Sequence, residues 1–118
     1  MSITLQLPLP PTNNTYYRNF RGRMVLGQKG RDYKKYVQEY VAMHNLPKLG
    51  ADRLTASITV FPADKRRWDL DGRLKGLLDS LQDAGVFDDD SQFDKIYICR
   101  GMIKKGGGCT ITISTIKE

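Results

Sequence analysis

Five leucines recur at helical spacing in the second half of the chain, and this stripe limits the folds open to it. They occupy positions i, i+4, i+7, i+8 and i+11, so a helix would carry them all on one face: Leu70, Leu74, Leu77, Leu78 and Leu81. Gly85 follows them and favours a helix end there, because glycine readily adopts the left-handed turn. The segment before them, residues 54–62, is β-branched and alternating, which predicts a strand.

Weaker patterns along the chain predict a second helix and further strands. Residues 2–8 alternate apolar and polar side chains, as a half-buried strand does. Residues 28–43 repeat apolar and aromatic side chains at helical spacing, and residues 15–26 suggest a short hairpin or loop. Residues 95–103 and 109–116 predict two strands joined as a hairpin around a KKGGG turn.

The predicted order of elements is strand, loop, helix, strand, helix, strand, strand. This order indicates an α+β fold, a mixed sheet with two helices packed on one face. The length of 118 residues favours one domain that spans residues 1–118. No apolar run approaches the roughly 20 residues that span a bilayer, and the N-terminus lacks the pattern of a signal peptide. We therefore expect a cytoplasmic protein.

Basic residues outnumber acidic ones by 19 to 13, which gives a net charge of +6. An excess of this size favours a polyanionic partner, because neutralising phosphates releases their counterions. Solubility alone would also account for it, so the positions of the charges must decide between the two.

The cysteines and the histidine exclude several kinds of site. Cys99 and Cys109 form neither a zinc motif nor a disulfide framework, and we expect two buried, reduced thiols on neighbouring strands. His44 is the only histidine, which excludes catalytic triads and histidine-rich metal sites. Its place at the end of a helical pattern is ordinary for a cation.

Three aspartates around the leucine stripe are candidate metal ligands. Inside a regular helix, Asp69 and Asp71 would project about 200° apart, so they can converge only if Asp69 precedes the helix in extended backbone. Asp71 and Lys75 are four residues apart and would share a helix face. Asp90, from the loop after the helix, would supply a third carboxylate. Such a set suits Mg²⁺, which takes a few carboxylates together with water and phosphate oxygens.

Spacing alone leaves structural roles open for these residues. Asp69 could be a helix cap, Asp71 and Lys75 could be an ordinary surface pair, and residues 88–90 could form a solvated acidic loop. A basic run stands immediately before the acids, which favours a site that holds phosphates and a metal together: Lys65, Arg66 and Arg67.

Taken jointly, these motifs resemble the RusA-type Holliday-junction resolvases. The resemblance is carried by residues 66–71 (RRWDLD), by Lys75 four residues further on, and by residues 83–92 (DAGVFDDDSQ). Residues 10–18 (PPTNNTYYR) are similar to the opening of that family. The joint pattern covers nearly the whole chain. Gly72 is a departure, because members of the family often have asparagine there.

The resemblance implies a homodimeric endonuclease that binds four-way DNA junctions and nicks two opposed strands with Mg²⁺. It also implies an α+β fold, metal binding by Asp69, Asp71 and Asp90, and an important role for Lys75. A non-catalytic module that binds branched DNA is the main alternative. A phosphohydrolase of small substrates is a second alternative, against which the absence of a nucleotide-binding loop counts.

Further residues are candidates for contact with the DNA. Basic side chains expected at phosphates are Arg21, Arg23, Arg31, Lys65, Arg66 and Arg67. An N-terminal group could contact the backbone or stack on unpaired bases: Asn13, Asn14, Tyr16, Tyr17 and Arg18. This second group could equally form a loop whose tyrosines pack on the first helix. Trp68 could be a core residue or a wedge at the junction centre.

Overall fold

A computed structural model, which describes residues 1–116, contains a four-stranded mixed sheet, a separate hairpin and three helices. The strands are β1 (Ser2–Leu7), β2 (Tyr17–Phe20), β3 (Arg23–Leu26), β4 (Leu54–Phe61), β5 (Phe93–Arg100) and β6 (Gly108–Thr115). The helices are α1 (Asn13–Tyr16), α2 (Gln28–Met43) and α3 (Leu74–Asp83). Short 3-10 turns span Leu70–Arg73 and Asp90–Gln92. The α+β prediction is confirmed.

The sheet has the strand order β1-β6-β4-β5. β6 is antiparallel to both of its neighbours, while β4 and β5 are parallel. β4 and β5 are connected through α3, as expected for parallel neighbours, which need a crossover connection. α3 therefore follows β4 and precedes β5 in the sequence, and it connects these two neighbouring strands of the sheet.

The hydrophobic core fills the space between the sheet and the helices α2 and α3. β4 buries every second side chain, from Leu54 to Val60, and α3 buries Leu77, Leu78 and Leu81 against the same core. The other face of the sheet is rich in hydroxyl side chains, and Thr4 and Thr112 join theirs across β1 and β6 at 2.9 Å. The sheet is thus amphipathic, with its helices on one side only. None of the helices in residues 1–116 is long and apolar enough to cross a membrane.

The leucine helix is confirmed, with a change in its first turn. Leu70 belongs to the 3-10 turn that precedes α3, and the regular helix begins at Leu74. Gly85 has φ of +81° and ends the helix as predicted. The loop that follows is less exposed than an acidic loop suggests, because Val86 and Phe87 are buried in the core.

The predicted hairpin of the last two strands is wrong. β4 lies between β5 and β6, so the KKGGG segment crosses the end of β4 instead of joining adjacent strands. The prediction for the cysteines fails with it, since Cys99 is exposed on β5 and Cys109 is buried on β6. Burial raises the pKa of the Cys109 thiol to about 12. The two thiols lie on strands separated by a third one.

The short helix α1 stands where the sequence suggested a loop, and it carries Tyr16 into the core. The ring of Tyr16 is fully buried, and its hydroxyl lies 2.7 Å from the hydroxyl of Ser80 on α3. Gly76 makes this contact possible, because a Cβ atom at that position would lie 2.6 Å from the Tyr16 ring. The absence of a side chain at Gly76 thus allows the N-terminal segment to pack against α3.

Replacing Gly76 by alanine should therefore destabilise the fold. We expect Gly76→Ala to lower the free energy of unfolding by about 1–3 kcal/mol, the usual range for overpacking, in urea denaturation. Gly72→Ala is the matched control, since a Cβ there would be 3.6 Å from the Asp69 Cβ. It should raise the stability slightly, by roughly 0.5 kcal/mol. Equal effects of the two substitutions would contradict this description of the contact.

Candidate active site

Asp69 lies in extended backbone immediately before the 3-10 turn, with φ −80° and ψ 135°. This is the conformation that the sequence required if Asp69 and Asp71 are to converge. The backbone carbonyl of Asp69 accepts a hydrogen bond from the N–H of Gly72 at 3.0 Å, and within residues 1–116 the Asp69 side chain caps no helix. Asp69 and Asp71 are both exposed. Their carboxylates are therefore accessible at the entrance to α3.

A cleft joins Asp69 to the N-terminal segment. It has a volume of about 340 Å³. Its lining residues come from two distant parts of the sequence: Thr12, Asn13, Asn14, Arg67, Trp68, Asp69, Gly72 and Arg73. The fold thus brings the N-terminal PPTNNTYYR segment and the RRWDLD segment together in one cleft.

Two polar atoms of this cleft are buried without a hydrogen-bond partner in the described chain: Asn13 Oδ1 and Arg73 Nε. A second nitrogen of Arg73 donates to the carbonyl oxygen of Pro10 at 2.5 Å. Burial lowers the pKa of the Arg73 guanidinium. Buried polar groups are nearly always satisfied, so a donor and an acceptor left open here suit a polar ligand or water.

Two guanidinium groups lie close to the ring of Trp68. Arg100 lies 4.5 Å and Arg73 lies 5.4 Å from the centre of its ring. Arg100 also donates to the carbonyl oxygen of Trp68 at 3.1 Å. The ring is partly buried and packs against the core. This packing agrees with the core alternative for Trp68, and neither alternative predicted the two arginines.

Lys75 contacts a different aspartate from the one that its spacing suggested. Its Nζ lies 3.2 Å from Oδ2 of Asp79, one helical turn further on, and 5.6 Å from the centre of the Tyr17 ring. The alternative of an ordinary surface pair between Asp71 and Lys75 is wrong, because residues 70–73 form a tighter 3-10 turn, which changes their orientation relative to α3. The hydroxyl of Tyr17 also donates to Asp79. Asp79 therefore joins Lys75 to the hairpin.

Tyr17 packs against other side chains of the same chain. Its side chain is partly buried, and its ring lies 4.7 Å from that of Tyr16. Burial raises the pKa of its hydroxyl, and the charges of Asp79 and Asp90 add to the effect. The hydroxyl is engaged with Asp79, so Tyr17 follows the packing alternative more closely than the stacking one.

Asp90 is held by the second half of α3 and by its own loop. Its backbone N–H donates to the Gln82 side chain at 3.1 Å. The neighbouring Asp89 caps the 3-10 turn, and the hydrogen bond from Ser91 lowers its pKa. Asp90 has no side-chain ion pair within the described residues. It is an exposed carboxylate on a fixed backbone.

A three-acid metal cluster is not formed within residues 1–116. No three side chains of histidine, cysteine, aspartate or glutamate there are close enough to share an ion. Asp69 and Asp71 flank the start of α3, whereas Asp90 neighbours its second half through Gln82. The side chains of Asp69, Asp71 and Asp90 thus form no common cluster in the described part of the single chain, and their joint role as metal ligands stays a prediction.

The side chains predicted to make basic contacts are all exposed, but two of them also have hydrogen-bond partners within the chain. Arg31 is engaged, since it donates to the Leu26 carbonyl and the Gln28 side chain, both at 2.8 Å. Arg66 pairs with Asp64 at 2.8 Å in the loop before Asp69. The remaining ones are exposed on the β2–β3 hairpin or on that loop: Arg18, Arg21, Arg23, Lys65 and Arg67. Arg18 and Arg21 lie over the Phe20 ring.

Comparison with known proteins gives consistent results. A family model described as "Endodeoxyribonuclease RusA" matches residues 8–114. The "Crossover junction endodeoxyribonuclease rusA" of Enterobacteria phage HK97 is 40% identical over 112 residues, covering 95% of this chain and 93% of that protein. The similarly named proteins of Escherichia coli (strain K12) and Enterobacteria phage 82 are 33% and 34% identical, over 96% and 93% of this chain and 94% and 92% of their own lengths.

The conformation of the loop that carries Asp90 should depend on Gln92, whose side chain is buried. The Gln92 side chain accepts from the N–H groups of Asp88 and Asp89 and donates to two backbone carbonyls, at 2.7–2.8 Å. Gln92→Ala would leave these groups unpaired, and we expect a loss of about 1–3 kcal/mol in the free energy of unfolding. Gln82→Ala removes one loop contact and should cost less. Equal losses in urea denaturation would contradict this assignment.

Proposed function

The chain belongs to the RusA endodeoxyribonuclease family, and we propose that it is a structure-selective endonuclease that resolves four-way (Holliday) DNA junctions. The family match over almost the whole length carries this proposal, and we assign residues 1–118 to one RusA-like domain. The exposed Asp69 in a cleft that Arg67 and Arg73 also line supports it, because metal-dependent hydrolysis of DNA places phosphate contacts beside the metal site. The alternative of a non-catalytic DNA-binding module has no specific observation in its favour.

We propose Mg²⁺ as the cofactor, with Asp69, Asp71 and Asp90 as its ligands. The donors fit, because they are exposed carboxylates without ion pairs among the described residues. Mg²⁺ is commonly bound by one or two protein carboxylates, with water and substrate phosphates completing the shell. One or two of the three carboxylates would therefore contact the ion directly, and the remaining one would bind it through a water molecule. When bound, the ion would polarise the phosphodiester and neutralise the leaving oxygen.

The protein side chains would bind and orient the strand to be cut. Lys75 would stabilise the charge that develops on the phosphate, and its ion pair with Asp79 limits the positions that its ammonium can adopt. Arg73 and Arg100, fixed on the ring of Trp68, would present positive charge beside Asp69. Phosphate recognition would thus rest on arginines whose geometry is preset by an aromatic ring.

The DNA-binding surface that we propose has two parts. The first is the cleft beside Asp69 and its basic loop: Asn13, Asn14, Lys65, Arg66 and Arg67. The second is the hairpin with the start of α2: Tyr17, Arg18, Arg21, Arg23 and Arg31. In Tyr17 and Arg31 the polar groups already have internal partners, so their contribution to binding would be mainly to hold the hairpin. The net charge of +6 supports a phosphate-rich partner.

A homodimer is part of the proposal. A four-way junction is resolved by two nicks in opposed strands, and a two-fold dimer would place one active site at each. The named relatives occur in bacteria and their phages, so we propose that the chain acts in the cytoplasm of a bacterial or phage-infected cell.

The direct test uses a synthetic mobile four-way junction in Mg²⁺. The wild type should nick it in preference to linear duplex. Asp69→Asn, Asp71→Asn and Asp90→Asn should each lower the cleavage rate on the order of 10²-fold or more, because a lost ligand removes several kcal/mol of transition-state stabilisation.

Junction binding by these variants should persist, because removing an acid from a basic face does not weaken phosphate contacts. Glu39→Gln, an exposed acid on α2, is the charge-matched control and should cleave normally. Junction binding without nicks by the wild type would establish the non-catalytic alternative instead. Loss of binding by all three aspartate variants would assign these acids a structural role.

Removal of divalent ions tests the cofactor separately. Treatment with EDTA should abolish nicking, and added Mg²⁺ should restore it. Junction binding in gel-shift assays should survive the chelator, because arginines and lysines make the phosphate contacts. Undiminished cleavage in excess EDTA would contradict the metal proposal without affecting the family assignment.

A further inference from the structure

The outer edge of the sheet at β5 is unpaired within residues 1–116, and it carries exposed apolar side chains among charged ones. β5 is the last strand in the order, and within residues 1–116 no strand pairs with its outer side. Tyr97 is 69% exposed and Ile96 is 38% exposed on this strand. Met102 and Ile103, which follow the strand, are also exposed. An eight-residue edge strand with free backbone groups and exposed apolar side chains is a template for pairing with another strand.

The opposite edge, at β1, has a different character. Its exposed side chains are the polar Ser2, Thr4 and Gln6. The backbone N–H of Gln6 already donates to the hydroxyl of Tyr40 on α2, at 3.2 Å. The two edges of one sheet thus differ, and β5 is the one suited to receive a further strand.

We propose that β5 pairs antiparallel with β5 of a second copy of this chain, about a two-fold axis at Tyr97. This rests on the homodimer of the proposed function and names its interface. The result would be a continuous eight-stranded sheet with the helices of both copies on the same side. A two-fold contact must be self-complementary, and β5 meets this condition in one register.

In that register, like residues and opposite charges face each other. Tyr97 lies opposite Tyr97 of the partner subunit, and Ile96 lies opposite the partner's Ile98. One step further out, Lys95 faces the partner's Cys99, and Asp94 faces the partner's Arg100. Directly opposed apolar pairs and opposite charges stabilise an antiparallel ladder. No like-charge pair occurs among these positions of β5.

Neighbouring registers that keep both cores on the same side are less favourable. Residues directly opposite each other share a face of the sheet. The two-fold axis can therefore move only by whole residues along the strand. A centre at Ile96 would put Asp94 opposite the partner's Ile98. A centre at Lys95 would oppose two ammonium groups, and a centre at Ile98 would put Ile96 opposite the partner's Arg100. Charge complementarity therefore selects Tyr97.

The charges at the ends of this contact are already oriented. The side chain of Asp94 pairs with Arg53, whose Nε lies 3.0 Å away, and Arg100 is fixed on Trp68. Both remain exposed at the ends of β5. Pairing would therefore extend two existing polar contacts without burying an unpaired charge, which would be costly.

Disulfide cross-linking tests both the interface and its register. Directly opposed residues in an antiparallel pair have Cα atoms about 4.5–5.5 Å apart, within the range for a disulfide. Lys95→Cys in the presence of the native Cys99 should give a covalent dimer under mild oxidation. The same substitution with Cys99→Ser should not, because positions 95 of the two copies would be about 13 Å apart along the strands.

Tyr97→Cys with Cys99→Ser should also cross-link, at the two-fold axis itself. Ser57→Cys with Cys99→Ser is the matched control, since Ser57 pairs with Tyr97 in the sheet but lies one strand further from the axis. It should remain uncross-linked. The native Cys99 alone should also give no covalent dimer, because its counterpart would be about 13 Å away.

The oligomeric state of the uncross-linked wild type separates the outcomes. A wild type that sediments as a dimer but gives none of the expected cross-links would overturn the interface and leave the proposed function intact. A monomeric wild type would overturn the interface together with the homodimer. Cross-linking by Ser57→Cys as strong as by Tyr97→Cys would also contradict the proposal. None of these measurements depends on cleavage activity.

Discussion

Burial of α3 against the sheet is the constraint on which the arrangement of the candidate site depends. Leu77, Leu78 and Leu81 fix the rotation of the helix about its axis, because only one face can enter the core. The entrance to the helix then carries Asp69 and Asp71, and its flank carries Lys75 and Asp79. The loop after it returns to β5 through Asp90. One packed face thus positions the acids and the lysine along a single element.

Most elements could be predicted from local patterns, because alternation and helical spacing record which face of each element is buried. The observed α2 coincides with the predicted helix, and the strand before the leucine stripe is also confirmed. The predicted hairpin of β5 and β6 was wrong because two strands joined by a glycine turn do not specify which strands pair with each other. That choice is made by β4, which lies between them. Cys99 is exposed for the same reason, because the position of β4 leaves β5 at the edge of the sheet.

The site was predictable in part, and for different reasons at different residues. The extended backbone of Asp69 follows from simple geometry. Lys75 has an acid four residues away on either side, and only the 3-10 turn before α3 decides in favour of Asp79. The contact of Trp68 with Arg100 joins residues far apart in sequence, which no local pattern reveals. Asp90 was a candidate from its place in the loop after the helix and again from the family pattern, and the three carboxylates form no common cluster within residues 1–116.

Coordinated cutting of both strands is the central claim, and a supercoiled plasmid that extrudes a cruciform tests it most directly. The quantity to measure is the ratio of linear to nicked circular product at early times in Mg²⁺. A dimer that cuts two opposed strands within the lifetime of one complex should convert the plasmid mainly to linear form, with little nicked intermediate. Accumulation of nicked circles before any linear product would show that the chain makes independent single cuts and would contradict its role as a junction resolvase.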